Sequence, residues 1–154
     1  MQPENEKKDV IIETQQKMVV IWGALMSSQF IFLMVLYFIK KELFHFDFSQ
    51  PLAGSNPMLV GIAGVLSLTT FGLSFAMKGR LVKQAEAEQN VALVQTGHVV
   101  AYALCESISL LGFMLAMLIG YQYFFLWFAG GIFGILLHFP RQKYIARAVY
   151  KHEL

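Results

Sequence analysis

Four long apolar runs, residues 18–39, 57–77, 98–121 and 123–139, dominate this chain, and none contains a Lys or Arg. At about 1.5 Å per residue, a helix of roughly 20 residues crosses the ~30 Å hydrocarbon core of a bilayer. Within hydrocarbon the backbone must bond to itself, so apolar runs of this length are helices rather than isolated strands or loops. Of the 154 residues, 56% are hydrophobic and only 14% charged, too apolar a balance for a soluble domain of this size. The expected fold is therefore all-α, an integral membrane bundle of four transmembrane helices. A polar N-terminal segment, residues 1–17, precedes it, and a basic amphipathic tail, residues 140–154, follows. The fourth run is the shortest, and its opening Phe124, Phe125, Trp127 and Phe128 read as an aromatic belt at one interface.

The positions of the cations set the expected orientation. With both termini on one side, that side holds Lys7, Lys8, Lys17, Lys78, Arg80, Lys83, Arg141, Lys143, Arg147 and Lys151, leaving Lys40 and Lys41 opposite. The positive-inside rule then places both termini and the 78–97 connection in the cytoplasm, with a bacterial inner membrane as the expected location. A net charge of +2 is too small to argue for nucleic acid as a partner. The polar lead-in and the length of the first apolar run exclude a cleavable signal peptide, so that run is expected to remain as a helix. Residues 1–17 are expected to form a frayed lead-in or a short helix at the surface. The final Lys151, His152, Glu153 and Leu154 look like a lumenal retrieval signal, but a cytoplasmic terminus makes this a coincidence.

Within the connections, Gln84, Ala85, Glu86, Ala87 and Glu88 are strong helix formers and predict that the second helix protrudes beyond the membrane into a hairpin with a polar tip. Phe44, Phe46 and Phe48 alternate in the external 40–56 loop and are expected to pack on the helix ends. Arg141, Lys143, Arg147 and Lys151 interleave with Tyr144, Ile145, Ala148 and Val149, a pattern suited to lying on anionic membrane lipid.

One residue breaks the apolar logic. Glu106 stands eight residues into the third run, roughly 12 Å down a helix and near the midplane. A charged group there costs on the order of 2.5 to 3.5 kcal/mol on insertion scales, which makes it a functional candidate. His98, Tyr102, Glu106 and Ser109 recur at steps of four, four and three and so share one side of the helix. This predicts a proton or cation path in which Glu106 is the exchangeable site, Tyr102 and Ser109 hydrogen-bond it, and His98 stands at the entrance. The alternative is a stripe that merely faces the bundle interior, with a neutral Glu106 bonded to a neighbouring helix.

Small residues at Gly112 and Ala116 on the third run and at Gly130 and Gly134 on the fourth match the spacing that lets membrane helices approach closely. They are expected to serve helix packing and self-association, giving a homo-oligomer or a subunit of a membrane complex. The histidines show no metal-ligand spacing, and Cys105 has no second cysteine to pair with. Neither a phosphate-binding glycine loop nor a nucleophile elbow is present, so no cofactor, no metal and no catalytic activity of its own is expected.

Residues 103–116, with Glu106 preceded by Ala103, Leu104 and Cys105 and followed by Gly112 and an aliphatic run, resemble the carboxylate helix of the rotary ATPase proteolipid, the ring-forming c subunit. Lys83, Gln84, Ala85 and Glu86 are similar to that family's polar loop, although Ala85 stands where the family has proline. The resemblance covers about residues 57–121. It implies that Glu106 binds the translocated ion, with Ser107 beside it as in the sodium-binding variant, and that Lys83 and Gln84 contact a peripheral stalk. The second run has no Gln, and Leu111 stands where that variant has Tyr, so the resemblance favours protons over sodium. The competing class is a non-transporting scaffold or assembly protein whose Glu106 serves helix–helix hydrogen bonding.

Overall fold

The computed structural model describes residues 4–45, 47 and 49–150. Phe46, Phe48 and Lys151 to Leu154 lie outside them. The described residues are all helical or irregular, with no strand. Five α-helices follow one another: α1 (Glu4–Ile39), α2 (Pro57–Glu88), α3 (Val91–Ile119), α4 (Phe125–Leu137) and α5 (Gln142–Val149). Two 3-10 turns, Lys41–Phe44 and Gln122–Phe124, stand in the connections. Three helices, α1 to α3, are long and apolar enough to cross a membrane. There are four such spans if α4 and α5, bent by 43° with the preceding 3-10 turn, are counted as one.

The polar N-terminal segment is neither frayed nor separate. From Glu4 onward it is the first half of α1, a helix of 36 residues and so about 54 Å long. Its packing positions explain this: Ile11, Met18, Trp22, Leu25, Gln29 and Leu36 recur at steps of three, four and seven, a continuous seam through the polar and apolar halves. The seam lies against α3 for most of its length and against α5 at the polar end.

The 78–97 connection is also helical almost throughout. Gln89 adopts the left-handed conformation (φ 52°) that ends α2, and the Asn90 side chain accepts a hydrogen bond from Ala92 N (3.0 Å) to start α3. The hairpin therefore turns on two residues. At the opposite end Asn56 caps α2 by accepting from Leu59 N, with Pro57 in the first turn where its missing N–H costs nothing.

The fourth helix is shorter than its apolar run. It has 13 residues, about 20 Å, because 121–124 are spent in a turn that pins the 40–56 loop. Tyr121 donates to Leu52 O (2.8 Å), Tyr123 to Gln50 O (2.6 Å) and Gln122 to His45 O (3.1 Å). Gly54 takes a positive φ there, and a Cβ on it would stand 2.9 Å from the Tyr121 ring, so the loop closes only over a glycine. Phe44 packs on Phe124 and Tyr37.

Past α4, Pro140 forbids continuation and α5 sets off at 43° across the end of the bundle. Its apolar face is covered by protein: Ile145 and Ala148 are buried with Ile11 and Met18 of α1, Ala85 of α2 and Val94 of α3. Gln15 ties the elbow to α1, donating to Pro140 O and accepting from Gln142 Nε2 (2.6 Å). The amphipathic pattern of the tail thus serves a packed four-helix end, with Arg147 reaching Glu86 at 3.5 Å.

Candidate functional site

Four hydroxyls inside the apolar runs return their protons to their own helices. Ser27 donates to Gly23 O, Thr69 to Val65 O, Thr70 to Leu66 O and Ser107 to Leu104 O, the expected behaviour where no water competes. Ser28 differs. Its Oγ stands 2.7 Å from Leu25 O and also 2.5 Å from Glu106 Oε1 on α3. A hydroxyl has one proton and can accept as well as donate. If Glu106 is a neutral acid, it donates to Ser28, which donates to Leu25 O. If Glu106 is ionised, the Ser28 proton turns to the carboxylate. One hydroxyl rotation accommodates both protonation states without moving a helix.

Glu106 is half-buried, at the edge of the α1–α3 contact rather than on the interior face of α3. The residues expected to surround it divide between two directions. Tyr102 is fully buried and donates to His138 O at 3.2 Å, and Ser109 is buried beneath Gly131 of α4 with no hydrogen-bond partner among the described residues. Neither bonds Glu106, as the spacing had implied. The reason is angular: Ser109 and Glu106 lie about 60° apart around the helix, enough to turn one to α4 and the other to α1. Ser107 is occupied by its own helix. His98, expected at an entrance, is wholly buried, bonded to Val94 O at 2.9 Å and packed with its ring tilted 57° and centred 5.7 Å from the Tyr144 ring of α5, so the polar stripe is covered at that end. Lys83 and Gln84 are exposed near the hairpin tip, with Gln84 donating to Glu88.

Two residues of the first apolar run escaped the sequence reading. Ser28 is one. Gln29 is the other, fully buried on the α1 seam with neither amide atom hydrogen-bonded among the described residues. Ser28, Gln29, Glu106 and Ser109 are thus polar residues within the apolar runs of α1 and α3, of which Ser28 and Glu106 bond each other. An amide in the middle of an apolar run was the available signal, since a buried polar group without a partner is costly.

A second polar group lies toward the polar end. Lys78 Nζ is 3.4 Å from His138 Nδ1, and His138 Nε2 is 2.9 Å from Ser74 Oγ, which is 2.6 Å from Phe71 O. An ammonium can only donate, so Nδ1 accepts, Nε2–H donates to Ser74, and Ser74 passes its proton to Phe71 O. His138 has no free lone pair for Ser74, and the trio is a satisfied strut rather than a nucleophile with its base. Among the described residues no group of three or more His, Cys, Asp or Glu is placed to hold a metal ion.

The small residues are used inside the chain. A Cβ on Gly112 would come within 2.4 Å of Trp127 Cβ, on Gly131 within 2.1 Å of Ser109 Oγ, and on Gly134 within 2.6 Å of Cys105 Sγ. Ala116 is buried as well. These positions set the closeness of α3 and α4, whereas Gly130 faces an apolar groove of about 410 Å³ between α2 and α4. No family model, no curated protein and no solved structure matches the chain.

Proposed function

We propose that this protein is an integral membrane subunit, with four spans and both termini cytoplasmic in a bacterial inner membrane, that takes up and releases a proton at Glu106. The reading rests on one observation, the Ser28 hydroxyl held 2.5 Å from Glu106 Oε1 at mid-depth. Ser28 is amphoteric, so it can bond both the acid and its conjugate base, which an exchangeable site requires and a purely structural clasp does not. Half-exposure at the α1–α3 edge leaves the carboxyl reachable by a neighbouring subunit, in keeping with the proteolipid resemblance. The surfaces available for such a neighbour are on α1 and α2, where a Cβ on Gly23, Gly61, Gly64 or Gly72 would meet nothing within 4 Å.

Carbodiimide labelling of the purified protein tests this, because the reagent attacks carboxylic acids in apolar surroundings. Glu106 should be the labelled residue. Glu106→Gln should abolish both labelling and proton flux in reconstituted vesicles while leaving the protein inserted. Flux unchanged in Glu106→Gln would sink the reading.

The second reading, a scaffold or assembly protein, takes the same bond as a clasp between α1 and α3. It draws on the fact that Tyr102, Ser107 and Ser109 do not turn to Glu106. The mass of the native complex separates the two, since a proteolipid-like subunit assembles into many identical copies and a scaffold enters a mixed complex.

A further inference from the structure

The elbow between α4 and α5 gathers positive charge without neutralising it. Lys78 is the first residue past the apolar run of α2, and Arg141 and Lys143 follow the Pro140 break, so helices distant in sequence bring three cations to one level. The Tyr144 ring lies between the two lysines. Lys78 Nζ lies 5.2 Å from its centroid and Lys143 Nζ 5.1 Å, which puts the two ammonium groups at most about 10 Å apart. Arg141 and Lys143 are both close enough to Lys78 for their charges to repel it. Among the described residues none of the three forms an ion pair: the carboxylates Glu4, Glu13 and Glu86 are paired with Lys8, Lys17 and Arg147. The other titratable groups facing them, His98, His138, the Cys105 thiol and the Tyr144 phenol, are not carboxylates.

Like charges held together, one of them half-buried, call for an anion. Two charge-assisted bonds of about 2.8 Å plus the width of a phosphate span roughly 8 Å, within the separation available. The depth selects the source, because the site begins where the apolar runs of α2 and α4 end, at the level of lipid headgroups. We infer that the α4–α5 elbow binds the phosphate of an anionic lipid headgroup, gripped by Lys78, Arg141 and Lys143 beside Tyr144. The inference stands apart from the proton reading, since it uses none of the same residues.

Native mass spectrometry of the full chain in mild detergent reads the outcome directly. The chain is offered phosphatidylglycerol or phosphatidylcholine of identical acyl composition. Phosphatidylglycerol should be retained preferentially. Arg141→Gln with Lys143→Gln, both at exposed positions, should lower that preference about fivefold per cation, roughly twenty-five-fold together. Lys78→Gln should lower it similarly and Lys78→Arg should preserve it. Lys40→Gln with Lys41→Gln removes the same charge at the opposite end and should leave the preference intact. An unchanged preference in the elbow variants, or an equal loss in the Lys40/Lys41 control, would overturn the site. Displacement of the lipid by millimolar inorganic phosphate alone would overturn the headgroup assignment.

Discussion

Gly130 and Gly131 are adjacent on α4, and their replacement by alanine separates packing from helix propensity. Each change gains the same intrinsic term, on the order of 1 kcal/mol in soluble helices, because alanine loses less backbone freedom. The surroundings differ. A Cβ at residue 130 finds its nearest neighbour, Ile108 Cγ2, at 3.8 Å, an ordinary contact. At residue 131 it falls 2.1 Å from Ser109 Oγ and 2.9 Å from Cys105 O. The hydroxyl can rotate away, but the carbonyl belongs to the α3 backbone, so the helices must part by several tenths of an ångström. Overpacking of this kind costs typically about 1 to 3 kcal/mol. Propensity cancels in the comparison, so Gly131→Ala should be less stable than Gly130→Ala by that whole amount, roughly 5- to 150-fold in the unfolding equilibrium. Denaturation in mild detergent, followed by helical circular dichroism and tryptophan fluorescence, measures it. Equal midpoints for the two variants would refute the claim that Gly131 sets the α3–α4 distance.

Gln29→Leu removes a buried amide with no partner and is expected to stabilise the bundle by about 1 to 3 kcal/mol; destabilisation in the same assay would mean that the amide is held by something it needs. Tyr121→Phe and Tyr123→Phe each delete one bond to the 40–56 loop, at about 0.5 to 1.5 kcal/mol apiece. Proteolysis between residues 45 and 55 should accelerate, most in the double variant, and unchanged cleavage would show that the loop is held by other contacts.

Apolar length alone was enough to locate α1, α2 and α3, because hydrocarbon leaves the backbone no other way to satisfy itself. It failed at the ends of the runs, where hydrocarbon no longer decides. The break between the third and fourth runs marks a connection near Tyr121 to Tyr123, but the turn also takes Phe124, because hydroxyls and ring faces there pin the 40–56 loop, and α4 is shortened accordingly. Residues 4–17 look like a solvated tail because their apolar positions are sparse. Ile11 and Met18 are nevertheless in register with Leu25 and Leu36, and α5 supplies the missing cover. At the site, Glu106 was conspicuous as a charge, but its partner was not, since a serine in an apolar run ordinarily bonds its own helix. Four residues sharing one side of α3 could not reveal that 60° of rotation sends them to different neighbours.

The packing of α5 onto α1 has a consequence for biogenesis. Ile11 and Ile145 meet across more than 130 residues of intervening chain, and they can do so only if the first and last helices emerge on the same face of the membrane. A molecule that threads once too few or once too often strands the two halves on opposite sides. It would expose the uncovered seam of Ile11, Met18, Ala85 and Val94 to water, a greasy flag of the kind that proteases and chaperones recognise. Closure of this small cluster, available only after all the other helices have been placed, would then act as a checkpoint on threading.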